Sequence, residues 1–151
     1  MPTFTVSELA ARIRRPDEKP ELVADRIRNW TKDGLLEPSG EKNPGTGRSR
    51  LYPEKALIEA AVLLELMDCL GIQPIKARYY AGWFKAAKLI LERDTKQRKY
   101  LVFSRSLEED LIRTATSKEL VASLQASEIT SHVVIDLGKL YANIQQNPET
   151  A

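Results

Sequence analysis

Hydrophobic positions along the first half of the chain recur at helical spacing, and proline and glycine cut the pattern into segments. At about 100° per residue, Val23, Ile27 and Trp30 fall on one face of a segment running from about Pro20 to Asp33, with Glu21, Asp25, Arg28 and Lys32 opposite. Pro20 suits a first helical turn, where its missing N–H has no partner to lose. Gly34 suits the left-handed residue after a helix end, with Leu35 folding back on the last turn. Upstream, Val6, Leu9 and Ile13 are spaced for a short amphipathic helix, and Thr5 with Glu8 matches a capping box. Downstream, Glu41 to Gly47 is polar and turn-forming. The run Arg48 to Tyr52 then alternates as a strand does, and Pro53 is expected to open the next helix.

Beyond Pro53 the pattern changes character. Ala56 to Leu70 is apolar almost all round, which predicts a helix buried on more than one side, with Cys69 part of that packing. From about Pro74 to Glu92 a broad apolar arc that includes Tyr79, Tyr80, Trp83, Phe84, Ile90 and Leu91 faces a polar side of Arg78, Lys85, Lys88 and Glu92. That arc is wider than one small domain needs to cover. Further on, Tyr100 to Phe103 and Val133 to Ile135 read as strands. Leu107 to Thr114 and Ser117 to Gln125 read as short helices capped by Ser106 and Ser117, and Asp136 caps a last helix through Leu140, Tyr141 and Ile144. Two strands this short are marginal alone, so the lobe is expected to lean on the preceding helix or on another subunit.

The order of helix, glycine stop and basic hairpin is that of a winged helix-turn-helix. The residues that carry it resemble the MerR-type family of DNA-binding domains: Glu8-Leu9-Ala10, Ile27-Arg28-Asn29-Trp30, Gly34-Leu35-Leu36-Glu37-Pro38, Arg50-Leu51-Tyr52 and Leu70-Gly71-Ile72, all within residues 4–80. Two features depart from that pattern: the turn Arg14 to Lys19 is longer than usual, and Asn29 stands where an aromatic is common. The resemblance implies a winged helix-turn-helix over 1–73 and a dimerisation helix over 74–95; with the small C-terminal α/β lobe that the residue pattern gives over 96–151, the expected fold is mainly α with small β. It implies double-stranded DNA, a second copy of the chain and RNA polymerase as partners. Arg28, Asn29 and Lys32 are then expected to face bases or phosphates, and Arg48, Arg50 and Tyr52 on the wing to hold phosphates. Arg12, Arg14 and Arg15 are expected to add contacts from the lengthened turn. Tyr79, Tyr80, Trp83, Phe84, Ile90 and Leu91 form the expected dimer surface, with an effector pocket at the same aromatics as an open alternative.

Composition narrows the rest. The net charge of +2 over 151 residues is a weak argument for nucleic acid. Its distribution says more: Pro74 to Tyr100 is locally basic, and the balance turns acidic after Leu101. The sequence holds no apolar run of about eighteen residues and no charged-then-apolar N-terminus, so a membrane span and a signal peptide are not expected, and the cytoplasm is. The single cysteine excludes an internal disulfide and a multi-thiolate metal site within one chain. The glycines from Gly40 to Gly47 lack the Gly-Lys-Ser/Thr ending of a phosphate-binding P-loop, and the lone His132 beside a strand reads as structural. No catalytic constellation assembles from the sequence, so no enzyme and no cofactor are expected. Two further classes stay open: an architectural or packaging DNA-binding protein such as a phage excisionase or small terminase subunit, and a protein-interaction module that has lost DNA binding.

Overall fold

A computed structural model describes residues 2–41, 43–71, 100–106, 110–125 and 129–146. They form a mixed α/β architecture of helices and small antiparallel sheets, in two compact units, the described part of one lying in residues 2–71 with 142–146 and that of the other in 100–141. The expected dimerisation helix over 74–95 lies outside the described residues, as does the side chain of Cys69.

The first unit begins with strand β1 (Thr3–Phe4) and helix α1 (Val6–Ile13). The capping box at Thr5 is formed: the Glu8 amide donates to Thr5 Oγ1 at 3.3 Å, and the Thr5 amide donates to Glu8 Oε2 at 2.6 Å. Two of the amides that a helix start leaves unpaired are thereby satisfied. Helix α2 spans Pro20–Lys32 with its proline in the first turn. It ends in a Schellman arrangement: Gly34 takes φ 78°, its amide donates to the Thr31 carbonyl at 3.1 Å, and the Leu35 amide reaches the Trp30 carbonyl at 2.8 Å. Trp30 and Leu35 are both buried, as that motif favours.

Helices α2 and α3 (Lys55–Leu70) both pack against α1. Ala56, Leu57, Ala60, Val62, Leu64 and Leu66 are buried on more than one side of α3, as its broad apolar pattern requires, while the side carrying Ile58, Glu65 and Asp68 is partly exposed. The helix stops at Gly71, which adopts φ 59°. Between α2 and α3 the structure departs from the expected strand over Arg48–Tyr52. Strand β2 is only Tyr52–Pro53, and it pairs antiparallel with β1, Phe4 opposite Tyr52 and Thr3 opposite Pro53. Leu51 adds one bridge, its carbonyl accepting from the Ser39 amide at 2.7 Å. Pro53 is thus a strand residue, and α3 starts two residues later than expected. The N-terminal strand supplies the pairing partner that the local pattern did not reveal.

The second unit is a three-stranded antiparallel sheet in the order β4-β3-β5, with β3 Tyr100–Ser106, β4 Asp110–Ala115 and β5 Ile129–Asp136. Residues 110–115 are therefore a strand, which corrects the helix expected over Leu107–Thr114 with Ser106 as its cap. The four-residue spacing of Leu107 and Leu111 imitates a helix, but Ile112 and Thr114 are β-branched and pairing with β3 decides the outcome. Helix α4 (Ser117–Leu124) is capped by Thr116 and not Ser117, the Thr116 Oγ1 accepting from the Glu119 amide at 3.3 Å. The Arg113 guanidinium donates to the Ser123 carbonyl at 3.0 Å, satisfying an acceptor near the end of α4. Helix α5 (Leu137–Gln146) opens as expected at Asp136, whose Oδ1 accepts from the Lys139 amide at 3.0 Å. Leu101 and Val102, adjacent and pointing to opposite faces of central β3, are both fully buried, so both faces of the sheet are covered there.

Tyr52 is fully buried, and its hydroxyl lies 2.7 Å from Thr31 Oγ1, which donates to the Ile27 carbonyl at 2.8 Å. Thr31 has one hydroxyl proton and it is used on Ile27, so Tyr52 is the donor to Thr31. Tyr52→Phe removes a donor whose partner keeps its own bond, and the expected cost is about 1 kcal/mol. Thr31→Val strands the buried Tyr52 hydroxyl and should cost more, about 1–3 kcal/mol. Urea denaturation of the two variants checks the order, and an equal or reversed loss contradicts the assigned donor direction.

Candidate nucleic-acid interface

Helix α2 buries Val23, Ala24, Ile27, Trp30 and Thr31, and exposes the opposite side: Leu22, Asp25, Arg28, Asn29 and Lys32. This polar side follows directly from the spacing of its apolar residues. What the spacing does not reveal is its neighbour. The segment Asn43–Arg50 curls over on two glycines in left-handed conformations, Gly45 at φ 86° and Gly47 at φ 82°. The Arg48 amide donates back to the Gly45 carbonyl at 3.4 Å. The curl encloses an open cleft of about 380 Å³ lined by Thr5, Val6 and Ser7 at the start of α1, Arg28 of α2, and Asn43, Pro44, Gly45, Arg48, Ser49 and Arg50.

Three guanidinium groups and several hydroxyl or amide groups line this cleft, and among the described residues no carboxylate does. Such a concavity concentrates positive potential and suits an anion with several oxygens. Arg50 is oriented by its own loop, donating through Nη2 to Asn43 Oδ1 at 3.1 Å. Arg28 is held by Asp25, with 2.7 Å between Nη1 and Oδ1. Lys32 and Asn29 stand exposed on the same helix, outside the cleft lining.

The other arginines singled out in the sequence are engaged within the unit. Arg15 Nη2 lies 3.5 Å from Glu65 and 3.6 Å from Asp68 on α3. Slight burial lowers its pKa, but the charges of Glu65, Asp68 and Glu18 outweigh that and leave it above the ordinary guanidinium value. Arg26 joins the same cluster through Asp68 at 3.3 Å and Glu18 at 3.9 Å. Arg14 donates to the Glu18 carbonyl at 3.3 Å, and Arg12 lies over the Phe4 ring at 4.9 Å from its centroid. The lengthened turn between α1 and α2 is thus braced against α3 by ion pairs.

Tyr52 requires a correction. Expected on the wing as a phosphate contact, it is fully buried with its hydroxyl committed to Thr31, because pairing of β2 with β1 turns it into the core. Ser7 and Asn43 line the cleft and were missed in the sequence. Ser7 follows the cap in the exposed first turn of α1, a position at which a polar residue near a helix start is a usable signal; Asn43 registered only as a turn former. Tyr79, Tyr80, Trp83, Phe84, Ile90 and Leu91 lie outside the described residues. In the second unit, His132 Nδ1 sits 2.8 Å from Ser104 Oγ, opposite it in the sheet register, and Ser104 is buried. Among the described residues no group of three or more His, Cys, Asp or Glu is arranged to hold a metal ion, and no helix is long and apolar enough to cross a membrane.

No protein-family model matches the chain, and no curated protein matches it in sequence.

The two sets of arginines differ in what they do for the fold. Arg15→Ala should cost up to about 1 kcal/mol at low salt, shrinking as salt screens its partly exposed pairs. Arg48→Ala should change stability by less than about 0.5 kcal/mol at any salt. Urea titrations at low and high ionic strength separate the two, and a large loss for Arg48→Ala would make that residue part of the loop's scaffold.

Proposed function

We propose that the chain is a double-stranded-DNA-binding transcriptional regulator, acting as a homodimer in the cytoplasm and resembling the MerR type. The observation that carries this reading is the cleft in which Arg28 of α2 meets Arg48 and Arg50 of the following loop, with no carboxylate in its lining among the described residues. Helix α2, with 13 residues, is about 20 Å long and suits a major groove about 12 Å wide. In this reading it is a recognition helix in a winged helix-turn-helix. Arg28, Asn29 and Lys32 approach base edges, while Arg48 and Arg50 hold backbone phosphates and so fix register without reading sequence. Arg12, Arg14 and Arg15 are assigned a lesser part, because their side chains are occupied inside the unit. The sequence of 74–95 supports a dimerisation helix there, and the role is binding, not catalysis.

Selection of bound sites from a random pool of duplexes tests the reading. A palindromic site is expected, with half-sites about one helical turn apart, because a twofold dimer presents two copies of α2. If roughly six to ten phosphates are neutralised per dimer, affinity should fall by about 10³ to 10⁵ between about 50 and 200 mM salt. Arg48→Ala and Arg50→Ala should weaken all duplexes alike and flatten that slope by about one unit each. Arg28→Ala should relax preference at one base pair by about 1–3 kcal/mol. A chain that selects no sequence and binds duplexes weakly and without salt dependence is a protein-interaction module instead.

A further inference from the structure

Asp25 stands one helical turn before Arg28 on the exposed side of α2, its Oδ1 accepting from Arg28 Nη1 at 2.7 Å. A contact this short is charge-assisted and directional. Both side chains are more than half exposed, at 66% for Asp25 and 52% for Arg28, and an exposed pair of this kind adds little to the stability of a fold. Yet the carboxylate sits beside a cleft from whose lining carboxylates are otherwise absent. There it opposes the approach of any phosphate, so for charge attraction alone Asp25 is unfavourable.

Its chemical effect is on Arg28. An arginine on a long, rotatable stem samples many orientations, and Asp25 fixes one by occupying one terminal nitrogen. Among the described residues Arg28 makes no other side-chain hydrogen bond, so Nη2 and Nε remain as a parallel pair of donors in fixed geometry. That donor pair matches the O6 and N7 acceptors of guanine in the major groove. In the loop, Arg50 donates to the amide oxygen of Asn43.

We propose that Asp25 is a positioning residue that sets Arg28 for guanine, raising discrimination between sequences while lowering affinity for DNA in general. The inference rests on the DNA-binding reading above. It is tested on the full chain with a fluorescent duplex carrying the sequence selected by the wild type, variants with each G·C pair replaced in turn by A·T, and a scrambled duplex of equal length, each followed by anisotropy. For Asp25→Ala, discrimination at one G·C pair should fall roughly tenfold while affinity for the scrambled duplex rises a few-fold. Asp25→Asn keeps an acceptor at Oδ1 without the charge. It should retain most of the discrimination yet bind the scrambled duplex as well as Asp25→Ala does. The double variant Asp25→Ala/Arg28→Ala should discriminate no worse than Arg28→Ala alone, since both changes remove one contact. Unchanged thermal midpoints are expected throughout.

Equal tightening of selected and scrambled duplexes by Asp25→Ala would reduce Asp25 to simple repulsion and overturn the inference. If Arg28→Ala loses discrimination and Asp25→Ala does not, the DNA-binding reading stands and the role of Asp25 falls. If the wild type binds no duplex, or binds without preference, sequence-specific reading fails and this inference fails with it.

Discussion

The placement of the Tyr52 hydroxyl under α2 governs most of what the first unit does. Tyr52, Thr31 and the Ile27 carbonyl form a buried relay of hydrogen bonds that ties the strand after the loop to the last turn of the helix. A buried hydroxyl without a partner is costly, so the relay fixes the approach of the two segments closely. Arg28 lies within one turn of Thr31, and Arg48 and Arg50 precede Tyr52 by a few residues. Anchoring Tyr52 therefore brings the loop arginines beside the helix arginine. The pairing of β1 with β2 reinforces the anchor and also carries the first turn of α1, with Thr5 and Ser7, to the rim of the same cleft.

Charge in this unit is divided by location more than by composition. Arg15 and Arg26 meet Glu18, Glu65 and Asp68 and join the turn between α1 and α2 to α3. Arg28, Arg48 and Arg50 stand around a concavity without lining carboxylates. In the first group two arginines meet three carboxylates and act locally; the second gathers three guanidinium groups, with Asp25 paired to one of them. A small net charge of +2 conceals both facts, which is why net charge was a poor guide to partners here.

The second unit follows a different logic. Its central strand is covered on both faces at Leu101 and Val102, and the buried Ser104 hydroxyl is paired across the sheet with His132 Nδ1. Helix α4 has no buried residue, and Val121 and Leu124 are exposed on it. The Arg113 bond to Ser123 is a polar link between it and the sheet, where α3 in the first unit is held by apolar packing on more than one side.

The amino-acid sequence by itself determined the features whose causes are local. Thr5 and Glu8 wrote the start of α1, Pro20 and Gly34 the limits of α2, and Asp136 the start of α5, because caps and left-handed stops depend on residues a few positions apart. The broad apolar pattern of α3 likewise required its burial on more than one side. Tertiary structure alone decided the rest. Residues 110–115 became a strand because β3 offered a partner, and Tyr52 turned inward because β1 paired beside it. Arg15 met Glu65 and Asp68 across fifty residues of sequence, and the loop folded its arginines onto Arg28. Each of these depends on surfaces brought together from distant parts of the chain, and periodicity, which reports only the face a residue takes on its own element, carries no information about the element opposite.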